Sequence, residues 1–237
     1  MIARDGWPIV IFAIALFSVV TALAVVWPAT IVVLAAVVVG LLTALTIYFF
    51  RDPERSAPSG AGVLVAPADG KVVAIKGGEG HAFVAEDANR ISIFLSIFDV
   101  HVNRVPVSGT VAFLNYIPGK FLAAFAEKAS LENEQTEIGI TTEDNQRVVF
   151  KQIAGLIARR IVCRIKTGDS VTTGARMGMI RFGSRVDVFL PPDADIAVNV
   201  GDRVVAGQTM LARLHSSSSK KQTAAGPADI QEHNGSV

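Results

Sequence analysis

Two stretches without a single charged residue, Ile9 to Trp27 and Ala29 to Phe50, constrain this chain more than any other feature. Each is long enough to cross a hydrocarbon core of about 30 Å. As one continuous helix they would reach roughly 60 Å at 1.5 Å per residue, about twice that thickness. A hairpin resolves the mismatch. Trp27-Pro28 stands at the join, where proline interrupts a helix and tryptophan suits a membrane interface. A cleaved secretory signal has one apolar region of about 7 to 15 residues and a small-residue cleavage site, so two long runs fit a retained anchor better. Arg4 precedes the first run and Arg51 and Arg55 follow the second. By the positive-inside tendency both ends, and the soluble part with them, are expected on the cytoplasmic side of the cell membrane. The single cysteine, Cys163, excludes an internal disulfide, in keeping with that compartment.

The expected organisation is an anchor over residues 1–50, a polar linker over 51–62, a domain over 63–214 and a disordered tail over 215–237. A net charge of +1 leaves no basic surface for nucleic acid. Within the domain the pattern is one of short strands. Val63 to Ala68, the Asp69-Gly70 turn and Lys71 to Ile75 read as a hairpin. Arg90–Phe98, Val105–Tyr116, Gln135–Thr142, Gln146–Leu156 and Ile161–Lys166 read as further strands, and the Ala-rich Phe121–Leu131 as the one helix. The class is β-rich α+β, with mostly antiparallel sheets behind an N-terminal transmembrane helical hairpin. Gly168-Asp-Ser-Val-Thr-Thr-Gly174 and Gly201-Asp-Arg-Val-Val-Ala-Gly207 share the pattern G-D-x-V-x-x-G, the turn repeat of a lipoyl-like β-sandwich half. A carrier domain would display Met-Lys at a hairpin tip, and this chain has no Met-Lys, so the repeat reads as scaffold.

The chemistry is expected in Met179-Ile-Arg-Phe-Gly-Ser-Arg-Val-Asp-Val-Phe-Leu-Pro191, centred on the bond between Gly183 and Ser184. On its own, a Gly-Ser pair between strand-like runs is a bulge or turn. Of the four histidines, His215 and His233 lie in or beside the tail and His81 follows a glycine-rich loop. His101 stands instead at a strand end, in company with Asp99, Arg104 and the Asp69 turn. A lone histidine there is usually structural; together with a carboxylate and a hydroxyl it is what an activated serine requires. The G-x-S-x-G elbow of one hydrolase class is absent. An attack of Ser184 Oγ on the carbonyl of Gly183 fits better: it turns amide into ester, and elimination and hydrolysis then leave a pyruvoyl group.

These residues carry a resemblance. A-P-A-D-G ending at Gly70, F-D-V-H-V-N-R-V-P from Phe98 to Pro106, Y-I-P-G ending at Gly119, the paired Gly-Asp turns and R-F-G-S-R-V-D before Leu190-Pro191 resemble, jointly and in order, the phosphatidylserine decarboxylases of the short, archaeal-like type. The resemblance implies self-cleavage into a β chain, 1–183, and an α chain, 184–237, whose Ser184 becomes the pyruvoyl cofactor. It implies a Schiff base between that group and phosphatidylserine, loss of CO2 and release of phosphatidylethanolamine, with no metal. It implies Asp69 and Ser184 as two members of the Asp-His-Ser triad of the long-type enzymes. The triad histidine of the long forms falls at Arg104, so either His101 serves in its place or the short type works differently. His101 is the candidate, both for maturation and as proton donor. Arg104, Lys120, Arg176 and Arg181 are candidates to hold the headgroup, although exposed cations are mostly just solvated. The implied partner is a phospholipid in the membrane, and a homo-oligomer stays open. Two rival readings are a pyruvoyl decarboxylase of a soluble amino acid, which would not need two membrane spans, and a non-enzymatic, membrane-anchored lipoyl-like module that leaves Ser184 intact.

Overall fold

A computed structural model describes residues 1–119, 133–155, 161–181 and 184–215. The expected helix Phe121–Leu131, Lys120, Gly183 and nearly all of the expected tail lie outside the described residues. The apolar runs form α1, Trp7–Val26, and α2, Thr30–Phe49, each of 20 residues and so about 30 Å long. Pro8 sits in the first turn of α1, where its missing N–H costs nothing. The helices lie against each other: Thr43 Oγ1 donates to the carbonyl of Ala13 at 3.2 Å, and the ring of Phe17 packs over Gly40. Both are long and apolar enough to cross a membrane. Their outer faces are apolar and exposed, with Ile31, Leu41 and Phe12 all more than 60% accessible, a surface that water does not favour.

The two ends of this hairpin are fastened together. Ala3 N–H donates to Phe50 O and Asp52 N–H to Met1 O, both at 2.7 Å, with Ile2 and Arg51 bridged between them. Both ends therefore emerge at one level. Below them Ala3, Val10, Phe49 and Phe50 pack on Val100, Val102 and Met179, a small core that joins anchor to domain. Residues 51–62, expected as a spacer, are docked. Asp52 accepts from Arg176 Nε at 2.6 Å and lies 3.4 Å from Arg104, Glu54 accepts from Arg176 at 2.9 Å, and Arg55 pairs with Asp69.

The domain consists of β1 (Val63–Val65), β2 (Gly70–Lys76), β3 (Asn89–Leu95), β4 (Val102–Arg104), β5 (Gly109–Ile117), β6 (Gln135–Thr141), β7 (Arg147–Ile153), β8 (Ile161–Cys163), β9 (Ser170–Val171), β10 (Arg176–Ile180), β11 (Ser184–Leu190), β12 (Asp195–Ile196), β13 (Arg203–Val204) and β14 (Met210–Arg213). The main sheet runs β13-β2-β3-β11-β7-β6-β5-β9, and two small sheets run β1-β14-β12 and β4-β10-β8. Every described pairing is antiparallel. The sheets enclose one core in which Ile91, Ile93, Ile138, Phe150, Val186 and Val188 are fully buried. Alternation along these strands turns these side chains inward.

The expected hairpin between Val63–Ala68 and Lys71–Ile75 does not form: β1 pairs with β14, and β2 with β3 and β13. Ala66 and Ala68 are fully buried and Pro67 has no N–H for a ladder, so the chain crosses from one sheet to another instead of turning back. The same happens in the expected strand Val105–Tyr116, which begins only at Gly109 because Val105 and Pro106 make the equivalent crossing. The two crossings pair with each other, Val65 N–H donating to Pro106 O and Arg104 N–H to Pro67 O.

That symmetry extends to the Gly-Asp turns. Asp169 accepts from Lys166 N–H and Asp202 from Asn199 N–H, each at 2.8 Å, and the glycines before them, Gly168 and Gly201, have φ of +91° and +105°. A side chain would be strained at both. Gly174 N–H donates to Val105 O and Gly207 N–H to Ala66 O, both at 2.8 Å.

Candidate active site

Ser184 opens β11, the strand flanked by β3 and β7, and pairs with Leu95 at the end of β3. It is fully buried, and its Oγ has no hydrogen-bond partner. A buried hydroxyl ordinarily finds one, so an orphaned Oγ at this position needs a reason. All seven residues of β11 are buried. On the face opposite Ser184, Arg185 Nε donates to Asp187 at 2.6 Å and its Nη2 to Ser92 Oγ at 2.8 Å, which satisfies the charges and holds the strand.

His101 reaches this end of the sheet through a tight turn. After Leu95, Ser96 N–H donates to the Asp99 carboxylate at 2.8 Å and Asp99 N–H to Ser96 O at 2.9 Å. The chain thus doubles back to place His101 just before β4. His101 is fully buried, and its Nδ1 lies 2.9 Å from the carbonyl of Asp99. A carbonyl can only accept, so Nδ1 carries the proton and Nε2 the basic lone pair. Burial pushes the imidazole pKa down to about 4; the hydrogen bond to Asp99 and the charges of Asp99 and Asp69 oppose this. The ring is neutral at physiological pH, as a proton acceptor must be. The ring of Phe49, at the end of α2, lies 4.2 Å from it.

Asp69 stands just before β2, and Lys71, Phe94 and Arg185 form one row across β2, β3 and β11. Asp69 is therefore about two strand spacings, roughly 10 Å, from Ser184. Its carboxylate is held by Arg55 at 2.5 and 2.8 Å and accepts the N–H of Ala206 at 2.8 Å. In the other half of the fold the equivalent place belongs to Ser108, whose Oγ accepts the N–H of Thr173 at 2.9 Å. A serine thus suffices to close this turn; the negative charge and its Arg55 partner are peculiar to the half that faces His101.

The cationic candidates sit differently from one another. Arg104 is buried and its donors are spent on Gly174 O, Pro53 O and Asp52. Arg181 donates to Asp5 O at 3.3 Å and its Nε is buried without a partner. Arg176, whose side chain is 38% exposed, lines a cleft of about 160 Å³ at the foot of α1, with Arg4, Asp5, Asp52 and Arg164. Among the described residues no group of His, Cys, Asp and Glu could hold a metal ion. Sequence reasoning passed over Arg55, Phe49 and Gln152, none of which belongs to a chemical motif. It also passed over Asn103, which stood inside the motif Phe98–Pro106.

The sequence model of the family described as phosphatidylserine decarboxylase matches residues 42–212, a span that takes in Asp69, His101 and Ser184. The chain belongs to the phosphatidylserine decarboxylase family. Among its relatives, the phosphatidylserine decarboxylase proenzyme of Symbiobacterium thermophilum is 48% identical over 214 residues, 90% of this chain and 96% of that protein. The proenzyme of Desulfotalea psychrophila is 44% identical over 213 residues, with the same shares covered. That of Chlorobium phaeobacteroides is 51% identical over 168 residues, 71% of this chain and 78% of its own. The phosphatidylserine decarboxylase match starts at residue 42, inside α2, so the family model covers the domain and the last turns of the anchor.

Proposed function

We propose that this chain is a phosphatidylserine decarboxylase that matures by cutting itself between Gly183 and Ser184. The observation that carries the proposal is the buried, unpartnered Oγ of Ser184 at the head of a rigid strand, in a chain whose relatives are named proenzymes. In maturation Oγ attacks the Gly183 carbonyl carbon and His101 Nε2 takes its proton. The proton passes to the departing nitrogen of Ser184 as the peptide C–N bond breaks, leaving an ester. Elimination across Cα–Cβ of Ser184 frees the carboxyl group of Gly183, and water converts the remaining unit to a pyruvoyl group with release of ammonia.

The pyruvoyl group supplies a carbonyl for the headgroup amine and a sink for the electron pair released with CO2. The rest falls to the chain's own residues. His101, neutral and with Nδ1 fixed by Asp99, moves the proton at Nε2; Asp69 steadies the transient imidazolium through space. Arg104 and Arg176 both fasten residues 51–62 to the domain, and the part-exposed Arg176, in the cleft beside the anchor, is the cation we assign to the headgroup. The α and β chains stay together after the cut, because β11 lies in the middle of the main sheet.

The anchor gives the reaction its place. Two spans of about 30 Å with exposed apolar faces belong in a bilayer, and the tie between Ala3 and Phe50 brings both ends out on one side. Arg4, Arg51 and Arg55 make that side the cytoplasmic one. This favours a lipid over a soluble amino acid as substrate, since His101 lies directly under the last residue of α2. The deciding experiment is a denaturing gel with intact mass on protein extracted from membranes, beside a decarboxylation assay on phosphatidylserine in mixed micelles. Two fragments parted between Gly183 and Ser184, the smaller with a blocked amino terminus, are expected. Decarboxylation by a single uncut chain would sink the proposal.

A further inference from the structure

Ser184 is not the only orphan in its neighbourhood. Asn103 and Gln152 are both fully buried, and Gln152 Nε2 donates to Asn103 Oδ1 at 2.8 Å. Asn103 Nδ2 and Gln152 Oε1 are left without partners. If both amides were turned the other way, the same contact would form in reverse, and one amide nitrogen would still have no other partner. So the pair offers an unused N–H donor in either orientation. Unmade bonds of this kind cost roughly 1 to 3 kcal/mol each when buried, and a core position tolerates them only for a reason.

Register places the pair beside Ser184. Gln152 lies opposite Val186 across the β7–β11 ladder. Ser184 and Val186 share one face of β11, so Gln152 is the diagonal neighbour of Ser184 on the core face, at roughly 7 Å between backbones. A glutamine side chain spans that gap. Asn103 lies in β4, two residues after His101. Ser184 Oγ and Gln152 Oε1 thus belong to diagonal neighbours at the start of β11, Asn103 is tied to them through Gln152, and all three side chains are buried.

We propose that the Asn103–Gln152 amide pair is the hydrogen-bond donor that receives the negative charge of the Gly183 carbonyl oxygen during maturation. This rests on the self-cleavage reading above. As Ser184 Oγ bonds to the Gly183 carbonyl carbon, the C=O π pair moves onto oxygen, and the hydroxyl proton goes to His101. The oxyanion lasts until the C–N bond breaks and the pair returns. Gln152 holds Asn103 Oδ1 and so leaves the Nδ2–H donor unspent; Gln152 is thus a positioning residue. A preorganised neutral donor in a dry site stabilises such an oxyanion without a competing charge, and removing one costs about 100-fold or more in rate.

The test follows self-cleavage of newly synthesised full-length chain on denaturing gels, with and without hydroxylamine, which splits an ester but not an amide. Asn103→Ala and the near-isosteric Gln152→Glu, whose carboxylate would occupy Asn103 Nδ2, are compared with Ser184→Ala as an uncut reference of the same length. Both variants should melt within a few degrees of that reference, cut about 100-fold more slowly than the parent, and gain nothing from hydroxylamine, because no ester accumulates. If Asn103→Ala does not fold, Gln152→Glu decides. Cutting at the parent rate overturns the proposal. Slow cutting that hydroxylamine restores also overturns it, since the pair would then act after the ester. A parent chain that never cuts removes the self-cleavage reading itself, a different result from either.

Discussion

The ring of Phe49 lies 4.2 Å from the imidazole of His101, so the last helical residue of the anchor closes over the proposed base. The membrane segment is therefore part of the catalytic domain's packing, through the small core that also holds Phe50, Val102 and Met179. Its last residue thereby contributes to the burial of His101.

Replacing Phe49 with alanine should raise the pH at which maturation fails. His101 must be neutral to accept a proton, and burial holds its pKa at about 4. In the parent, cutting should persist down to about that pH and be lost as pH falls through it. Without the ring, water reaches the imidazole and its pKa climbs back towards its ordinary range, so the midpoint of the rate profile moves up. The variant also loses about 3 to 5 kcal/mol of stability to the cavity. Identical rate–pH midpoints in the two proteins would sink the idea.

The same group makes stability pH-dependent, with a definite sign. Between its folded pKa of about 4 and the ordinary imidazole value of 6.5, the unfolded chain binds the proton and the folded one does not. Stability then rises with pH across that window. The contribution is complete above the unfolded value and declines as pH falls towards 4. Urea midpoints of the uncut Ser184→Ala chain, taken from neutral pH downward, should fall across this window. Adding His101→Gln should flatten the fall; an unchanged slope would mean His101 is not the titrating group.

Ser184→Ala should remain a single chain of about 25 kDa and show no decarboxylation above background. His101→Ala should fold and stay largely uncut for hours under conditions in which the parent matures. Parent-like cutting by His101→Ala would remove His101 from maturation and leave another group as the base.

Asp69→Asn should cost stability first and rate second. The carboxylate is bidentate with Arg55, whose side chain is only 7% exposed, and breaking a buried pair costs about 3 to 5 kcal/mol. The turn itself should survive, because an amide oxygen can still accept the N–H of Ala206, as Ser108 does for Thr173. The double change of Arg55→Met with Asp69→Asn removes both charges and should regain much of the stability by denaturant titration. Maturation should stay slower than in the parent, since the through-space support of the imidazolium is gone. Full recovery of the cutting rate would make Asp69 a purely structural residue.

The sequence carried a good deal of this. Charge-free runs of membrane length declared α1 and α2, and alternation declared most strands, because both patterns are local and each follows from the period of one element. The Gly-Asp repeats and the Ser184 stretch were legible for the same reason. What misled was also local: Asp69-Gly70 is a strong hairpin signal, yet the chain there crosses between sheets. The deeper repeat, in which Ala66-Pro67 and Val105-Pro106 make matching crossings, showed only in the hydrogen bonds between them.

Sequence alone thus determined the classes of element and the two apolar helices, and it singled out the Gly-Ser pair as the candidate for reaction. Those depend on residue type and on spacing along the chain. Tertiary structure decided which groups meet: Arg55 with Asp69, Phe49 with His101, and Asn103 with Gln152. Those partners stand from 14 to 52 residues apart in the chain. No local period links residues so far apart; only the register of strands and the burial of the site bring them within reach and make their unmet hydrogen bonds matter.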